Sequence, residues 1–178
     1  AHPIAPNDPR FELGRDHPLG GTDWYQAQPP ERRALIGLDL VTSPMKTGVV
    51  FENVLQRGLL ELALPLPDRD PKFRYAYHEI IEEAQHSLMF QEFINRSNRP
   101  TGTMSRMDQR LTRFVASLGR RFPELFLLFV IGGEEPIDYE QRQALKHRQT
   151  LHPLLARIMQ IHVTEEARHL CFARGWLE

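Results

Sequence analysis

The sequence lacks the features that mark several protein classes. It contains a single cysteine, Cys171, which excludes an internal disulfide framework and favours a reducing, cytoplasmic location. Its net charge of −1 gives no basic surface of the kind that binds nucleic acid or acidic membranes. Its longest apolar run, Leu125–Ile131, is too short to span a membrane, and its N-terminus has no signal-peptide pattern. We therefore expect neither nucleic acid nor a membrane as a partner.

The sequence also has no glycine-rich phosphate loop and no convincing β-strand pattern, and its length fits one domain with a sizeable core. Residues 1–30 are rich in proline, glycine and aspartate, which predicts an extended N-terminal arm with Trp24 and Tyr25 as packing anchors. Residues 31–178 are predicted to form a helical bundle. Because the chain begins without methionine and ends soon after its last motif, we expect it to be a processed or truncated form of a longer protein.

Apolar residues recur every three or four positions along several segments, which predicts helices. The segment 45–64 places Glu52 in the middle of its apolar stripe, and Pro44 before it predicts a helix break or kink. A further helix is expected to begin with Ser105 or Asp108 as its cap, with an interruption at Pro123. Taken alone, Glu52 is an ordinary solvent-facing glutamate, and only the apolar flanks raise the prospect of a function.

Another predicted helix begins at Asp70-Pro71, a typical pairing of an N-cap residue with proline at the first helical position. Two adjacent apolar stripes give this helix a wide buried face that includes Glu83 and His86. Glu79 lies one turn before Glu83 and is interpreted as a residue behind the ligands rather than as a ligand. Glu82 is predicted to point elsewhere.

The last helix, predicted over Leu155–Ala173, carries the most informative pattern. His162, Glu166 and His169 share one face of this helix, and that face is apolar at both ends. Burying three such polar groups is costly unless a partner satisfies them, and a metal ion is one such partner. The Glu166–His169 spacing repeats the Glu83–His86 spacing of the earlier helix.

A Glu-x-x-His pair puts a carboxylate and an imidazole one turn apart on one helical face. Two such helices, together with one glutamate from each of two others, form the di-metal carboxylate site of ferritin-like four-helix bundles. One pair is weak evidence, but two pairs on separate helices, interleaved with single glutamates, are strong evidence. Mixed oxygen and imidazole donors suit iron or manganese. We therefore predict an all-α, ferritin-like four-helix bundle with two metal ions.

The remaining glutamate is sought in Ile131-Gly132-Gly133-Glu134-Glu135-Pro136, where glycines and a proline surround two acids. This composition predicts a local distortion of a helix, or a boundary between two helices, that could aim a carboxylate at the site. Taken alone, it is more typical of an exposed acidic turn. Spacing favours Glu135 over Glu134, and either acid remains open as the ligand.

His162 adds a third imidazole to a site that usually has two. With His162-x-x-x-Glu166-x-x-His169, Glu83-x-x-His86, the glutamate of Phe51-Glu52-Asn53 and an acid in Gly133–Pro136, the chain resembles the p-aminobenzoate N-oxygenases, the AurF-like di-iron enzymes of the ferritin-like superfamily. The resemblance extends from about Trp24 to the end of the chain. It implies the metal ligands Glu52, Glu83, His86, Glu135, His162, Glu166 and His169.

The resemblance also implies an activity. In this family two iron ions activate O₂ and oxidise an aromatic amine toward the nitro level, with electrons from an external donor. The family enzymes are often homodimers, and they have further helices after the last Glu-x-x-His pair. We accordingly expect a di-iron, O₂-dependent oxygenase that acts on a small-molecule amine.

Three other interpretations remain open at this stage. The chain could be a different di-metal oxidase or hydroxylase acting on a small organic substrate. It could be a ferritin-like iron-storage or metal-binding protein, although bulky apolar residues near the ligands argue against an iron route. It could also be a non-catalytic helical scaffold, either one that keeps the motif as a relic or one whose buried acids pair with Arg168 or Arg174.

Overall fold

The computed structural model describes residues 3–100 and 102–178, and within them the chain is helical, with no strand. A short helix, α1, and five long ones follow one another, with single 3₁₀ turns at Pro9–Phe11 and Arg148–Thr150. Their bounds are α1 Asp23–Gln26, α2 Pro30–Ala63, α3 Pro71–Ser97, α4 Arg106–Arg121, α5 Pro123–Leu145 and α6 Pro153–Leu177. The prediction of an all-α, ferritin-like helical bundle is confirmed.

Local sequence explains most of the helix boundaries. The Asp70 side chain accepts a hydrogen bond from the Lys72 backbone N–H at the start of α3. Ser105 caps α4 through a capping box with Asp108, each side chain bonding to the other residue's backbone N–H. Pro123 stands at the first position of α5 and separates it from α4, as the sequence predicted.

Two predicted interruptions are absent. α2 continues through Pro44 without a break, and α5 continues through Gly132, Gly133 and Pro136. Close packing explains the glycine at position 133, because a Cβ atom there would clash with the Phe51 ring. The prediction of a helix boundary in this segment was therefore wrong.

The long helices pack so that a polar layer lies between two apolar clusters. α2 packs along α3 and α4, α5 packs along α6, and α3 contacts α6. One apolar cluster includes Leu59 and Phe126, and the other includes Phe93 and Leu155. On α2, α3 and α6 the predicted metal-binding side chains fall between residues of, or packed against, these two clusters. The position of the site thus follows from where polar residues interrupt the apolar stripes.

The N-terminal arm is packed against the bundle in its described part, which begins at residue 3. Phe11 is buried in one of the apolar clusters, and its ring stacks on His152. Tyr25 is fully buried, and its hydroxyl donates to the Arg33 carbonyl at 3.0 Å. Trp24, in contrast, is 53% exposed, so only the tyrosine serves as an anchor.

Among the described residues, α2 is the one helix that is long and apolar enough to cross a membrane, by length and composition alone. Polar residues interrupt its apolar runs, so no single run in the sequence indicates a span. A single helix of this kind is weak evidence, since core helices of water-soluble proteins meet the same criterion. α2 also carries Glu52, which is 1% exposed and faces the polar layer.

Candidate metal centre

Four helices place seven potential metal ligands in the polar layer, each no more than 1% exposed. α2, α3 and α6 contribute six of the seven residues predicted from the sequence. The seventh, from α5, is Glu134. These seven residues are Glu52, Glu83, His86, Glu134, His162, Glu166 and His169.

The two Glu-x-x-His pairs form the middle of the cluster. His86 Nδ1 lies 3.1 Å from Glu83 Oε2 and 3.3 Å from Glu166 Oε1. His169 Nδ1 lies 3.1 Å from Glu83 Oε1 and 3.1 Å from Glu166 Oε1. Each glutamate therefore reaches both imidazoles, as expected of carboxylates that can bridge two ions.

The other donors extend this centre. His162 Nε2 lies 3.5 Å from Glu52 Oε1 and 3.9 Å from Glu166 Oε1. Donor atoms of Glu134, His162 and Glu166 all lie within 4.8 Å of one another, as do those of Glu52, His86 and His162. The extra histidine thus belongs to the same cluster as the two Glu-x-x-His pairs.

The choice of Glu135 as a ligand is contradicted by its position. Its side chain is 46% exposed and forms an ion pair with Arg174 on the surface. Glu134 points the other way into the polar layer, where it is 1% exposed. Neighbouring residues on a helix differ by about 100° in direction, so a continuous helix allows only one of the two acids to face the site.

Unpaired polar atoms at the centre show that these residues fit a metal. Glu52 Oε2, Glu166 Oε2 and both carboxylate oxygens of Glu134 are buried without a hydrogen-bond partner in the described part of the chain. Unpartnered buried oxygens are costly, and a cation would satisfy them. Oxygen and imidazole donors in this number match two divalent ions better than one.

The electrostatics of the metal-free cluster lead to the same view. Burial raises the pKa of Glu52 and that of Glu134 well above the usual range, and neighbouring carboxylates add to the effect. Burial lowers the pKa of His86, but hydrogen bonds to Glu166 and Glu83 outweigh it and raise this pKa to about 10. Protons bound to Glu52, Glu134 and His86 therefore supply positive charge that metal ions would otherwise supply.

This geometry agrees with the comparison to known families. The family model described as p-aminobenzoate N-oxygenase AurF matches residues 1–178. The chain belongs to the AurF family. The description of this family names an oxygenase, and the buried Glu and His groups of the chain could hold metal ions.

Similar proteins extend the comparison without naming an activity. Uncharacterised proteins of Mycobacterium bovis and of two strains of Mycobacterium tuberculosis are each 40% identical to the chain over 174 residues. The match covers 98% of this chain and 51% of each relative, so the chain spans about half the length of the curated relatives it matches. No solved structure matches it significantly.

Glu82, which was wrongly predicted to point elsewhere, and Glu165, to which no role was assigned, hold the imidazoles of this AurF-family site in place. Glu165 Oε2 accepts a hydrogen bond from His86 Nε2 at 2.8 Å, and Glu82 Oε2 accepts one from His169 Nε2 at 2.8 Å. Each therefore reaches from its own helix to the histidine of the other helix. Both directly precede the glutamate of a Glu-x-x-His pair, so the repeated Glu-Glu-x-x-His pattern was the signal that could have identified them.

These contacts fix the direction of both rings. With Nε2–H bound to a carboxylate, Nδ1 of each ring is turned toward the centre, where it can hold an ion.

We expect Glu165→Ala to weaken metal binding by about 10- to 100-fold, because His86 loses the partner that orients it. Titration of the metal-free protein with cobalt(II) measures the effect. The control is Glu92→Gln, which alters an exposed glutamate of α3. Equal affinities in the Glu165 variant and the wild type would contradict this role.

A cavity of about 470 Å³ adjoins the centre. Its lining includes exposed His17 of the N-terminal arm and, deeper, the buried side chains of Glu52 and His162. Most of its other walls are apolar, among them Phe90, whose ring centroid lies 5.3 Å from that of His162. The cavity connects solvent with one side of the donor cluster, which is where a small organic molecule would approach it.

Proposed function

We propose that this chain forms the di-iron centre of an O₂-dependent oxygenase that oxidises an aromatic amine toward the nitro level. Family membership supports the oxygenase class. The observation that carries the proposal is that the cavity and the donor cluster share Glu52 and His162 as a common wall. A substrate in the cavity would therefore lie next to the ions.

The chain's own residues supply binding, orientation and shielding. Phe51 and Phe90 line the cavity beside the cluster and keep water from an apolar ring placed there. Glu52 lies on the same wall, where its carboxylate can accept a hydrogen bond from the amine of the substrate. Two bound iron ions would supply the redox chemistry with O₂.

The metal, the electron donor, the assembly and the location are proposed from the family resemblance and from general chemistry. We propose iron as the resident metal, with manganese as the alternative that the same donors accept. The reaction needs an external electron donor. A homodimeric assembly and a cytoplasmic location remain predictions.

The test is a comparison between the wild type and His162→Ala. Each protein is loaded with iron anaerobically, reduced, exposed to O₂ and then given p-aminobenzoate, and mass spectrometry follows the hydroxylamino and nitro products. We expect the wild type to form these products. We expect the variant to lose at least about tenfold in yield, because an imidazole leaves the wall that the cluster shares with the cavity.

Metal content measured beside the products separates the outcomes. A wild type that binds two ions but leaves aromatic amines unchanged would contradict N-oxygenation and favour a different di-metal oxidase or hydroxylase. A wild type that binds no iron would favour a non-catalytic scaffold. Equal products and metal content in both proteins would remove His162 from the site.

A further inference from the structure

Glu79, which the sequence placed behind the ligands, is a buried carboxylate beside the donor cluster. It lies on α3 one turn before Glu83 and is 1% exposed. Its Oε2 has no hydrogen-bond partner in the described part of the chain. One donor atom from each of Glu79, Glu83 and His169 lies within 4.8 Å of the other two. An unpaired acid at this distance from two metal-ligand types requires a cation or a proton.

The location of Glu79 mirrors that of His162. Glu79 precedes Glu83 by four residues on α3, and His162 precedes Glu166 by four residues on α6. The cross-contacts of Glu82 with His169 and of Glu165 with His86 show that these two helices are antiparallel. The two additional residues therefore extend the cluster in opposite directions along the bundle.

The two ends of the cluster differ in their surroundings. His162 lines the cavity, whereas Glu79 does not. Beyond Glu79 lies Tyr75, one turn earlier on α3, whose ring stacks on Phe172 with centroids 4.4 Å apart. Aromatic side chains thus flank the Glu79 end, whereas the His162 end opens toward the cavity.

We propose that Glu79 is an eighth metal ligand, bound to the ion farther from the cavity. The proposal rests on the di-metal site proposed above. Under this proposal the two ions would have different ligands. The ion near the cavity would gain the neutral imidazole of His162, and the far ion would gain the anionic carboxylate of Glu79. With Glu79 the cluster contains five buried carboxylates, one more than two divalent ions neutralise. The extra negative charge strengthens binding at the far position and favours the more highly charged, oxidised state of the ions.

A different explanation is that Glu79 is a protonated bystander. A neutral carboxylic acid and a glutamine side chain have nearly the same shape, so Glu79→Gln would then change little. If Glu79 is an anionic ligand, the same substitution removes a charge from the coordination sphere. Glu79→Leu removes both side-chain oxygen donors while filling a similar volume. It provides the same test if the glutamine variant does not fold.

The experiment is an anaerobic titration of metal-free protein with cobalt(II), followed by visible absorption and by metal analysis after gel filtration. Wild type, Glu79→Gln, Glu79→Leu and the exposed control Glu92→Gln are compared. We expect two ions per chain in the wild type and the control. In both Glu79 variants we expect one ion with wild-type affinity and a second that binds more than about 100-fold more weakly, because a residue that only orients a ligand accounts for a loss of about 10- to 100-fold.

Circular dichroism and urea unfolding without metal show whether the variants fold. We expect neither Glu79 variant to be less stable than the wild type without metal, because each removes an unpaired buried carboxyl group. Two ions with unchanged affinities in both variants would overturn the proposal and leave the di-metal function intact. A wild type that binds no metal would instead contradict the di-metal function itself, and the eighth ligand with it.

Discussion

Replacing Glu83 and Glu166 together by glutamine is expected to reduce the metal content from about two ions per chain to none. These two carboxylates lie at the middle of the cluster, and each is within 3.3 Å of both His86 Nδ1 and His169 Nδ1. They are the residues best placed to bridge two ions, so their loss affects both positions at once. Removing a ligand of only one ion would leave the other position partly intact.

The loss should also appear in the stability of the protein. Ions that bind only the folded chain raise its free energy of unfolding by RT ln(1 + [L]/Kd), which is about 2.7 kcal/mol at a metal concentration of 100 times Kd. Iron(II) should therefore raise the urea midpoint of the wild type and leave that of the double variant unchanged. Glu92→Gln serves as the control. Two ions retained by the double variant would show that Glu83 and Glu166 do not hold the metal.

Helical periodicity was sufficient to predict most of the site. Glu52, Glu83, His86 and the His162–Glu166–His169 face all lie on apolar stripes, and in the structure all of them are buried in one polar layer. A stripe predicts burial because side chains three and four apart share a face. Two repeated pairs on separate helices then restrict how those faces can meet.

The error at Glu135 has a simple physical cause. Assuming a distorted helix at Gly132-Gly133 discarded the information that periodicity carries across that segment. Leu127, Val130 and Glu134 follow one another at intervals of three and four on a continuous helix, and the first two are buried. That stripe would have selected Glu134. Glycine in a helix can serve close packing, as at Gly133 against Phe51, rather than a break.

Other features depend on tertiary structure that no local pattern contains. The contacts of Glu82 and Glu165 run between α3 and α6, and their register is set only when the two helices pack. The cavity is likewise formed by residues distant in sequence, from His17 in the N-terminal arm to Met159 on α6. Periodicity predicts which side of a helix is buried, but it does not predict which residues of another helix lie opposite.

The metal-free protein is expected to become less stable as the pH rises from about 6.5 to 8.5, and added metal is expected to reverse much of that loss. Burial raises the pKa of Glu52, that of Glu79 and that of Glu134 well above the usual range, so the folded chain holds protons that these groups lose in the unfolded chain. Their stabilising contribution is complete only below the ordinary glutamate pKa, and it declines as the pH rises toward the raised values.

The two Glu-x-x-His imidazoles act in the same direction. Burial lowers the pKa of each, but hydrogen bonds to Glu166 and Glu83 outweigh it, and the values rise to about 10 for His86 and about 12 for His169. Their contribution is complete below the unfolded histidine pKa, near 6.5, and is lost as the pH rises toward these values. His162 has the opposite shift, because burial lowers its pKa to about 4, so its effect is confined to pH values below about 6.5.

Each proton that the folded chain holds in excess lowers the free energy of unfolding by about 1.4 kcal/mol per pH unit. A single excess proton therefore gives a decrease of about 2.7 kcal/mol between pH 6.5 and 8.5, and several give more. Metal ions bind the deprotonated ligands and release these protons, so metal affinity should increase over the same range.

Urea unfolding followed by circular dichroism at pH 6.5, 7.5 and 8.5 provides the measurement, once with a chelator and once with excess manganese(II), which avoids oxidation in air. The Glu83→Gln/Glu166→Gln protein is the matched control. Without these carboxylates His86 and His169 lose the partners that raise their pKa, so its stability should depend less on pH. The prediction would be contradicted if the free energy of unfolding of the wild type with chelator stayed constant or increased with pH. That result would mean that the folded cluster holds no excess protons in place of the metal.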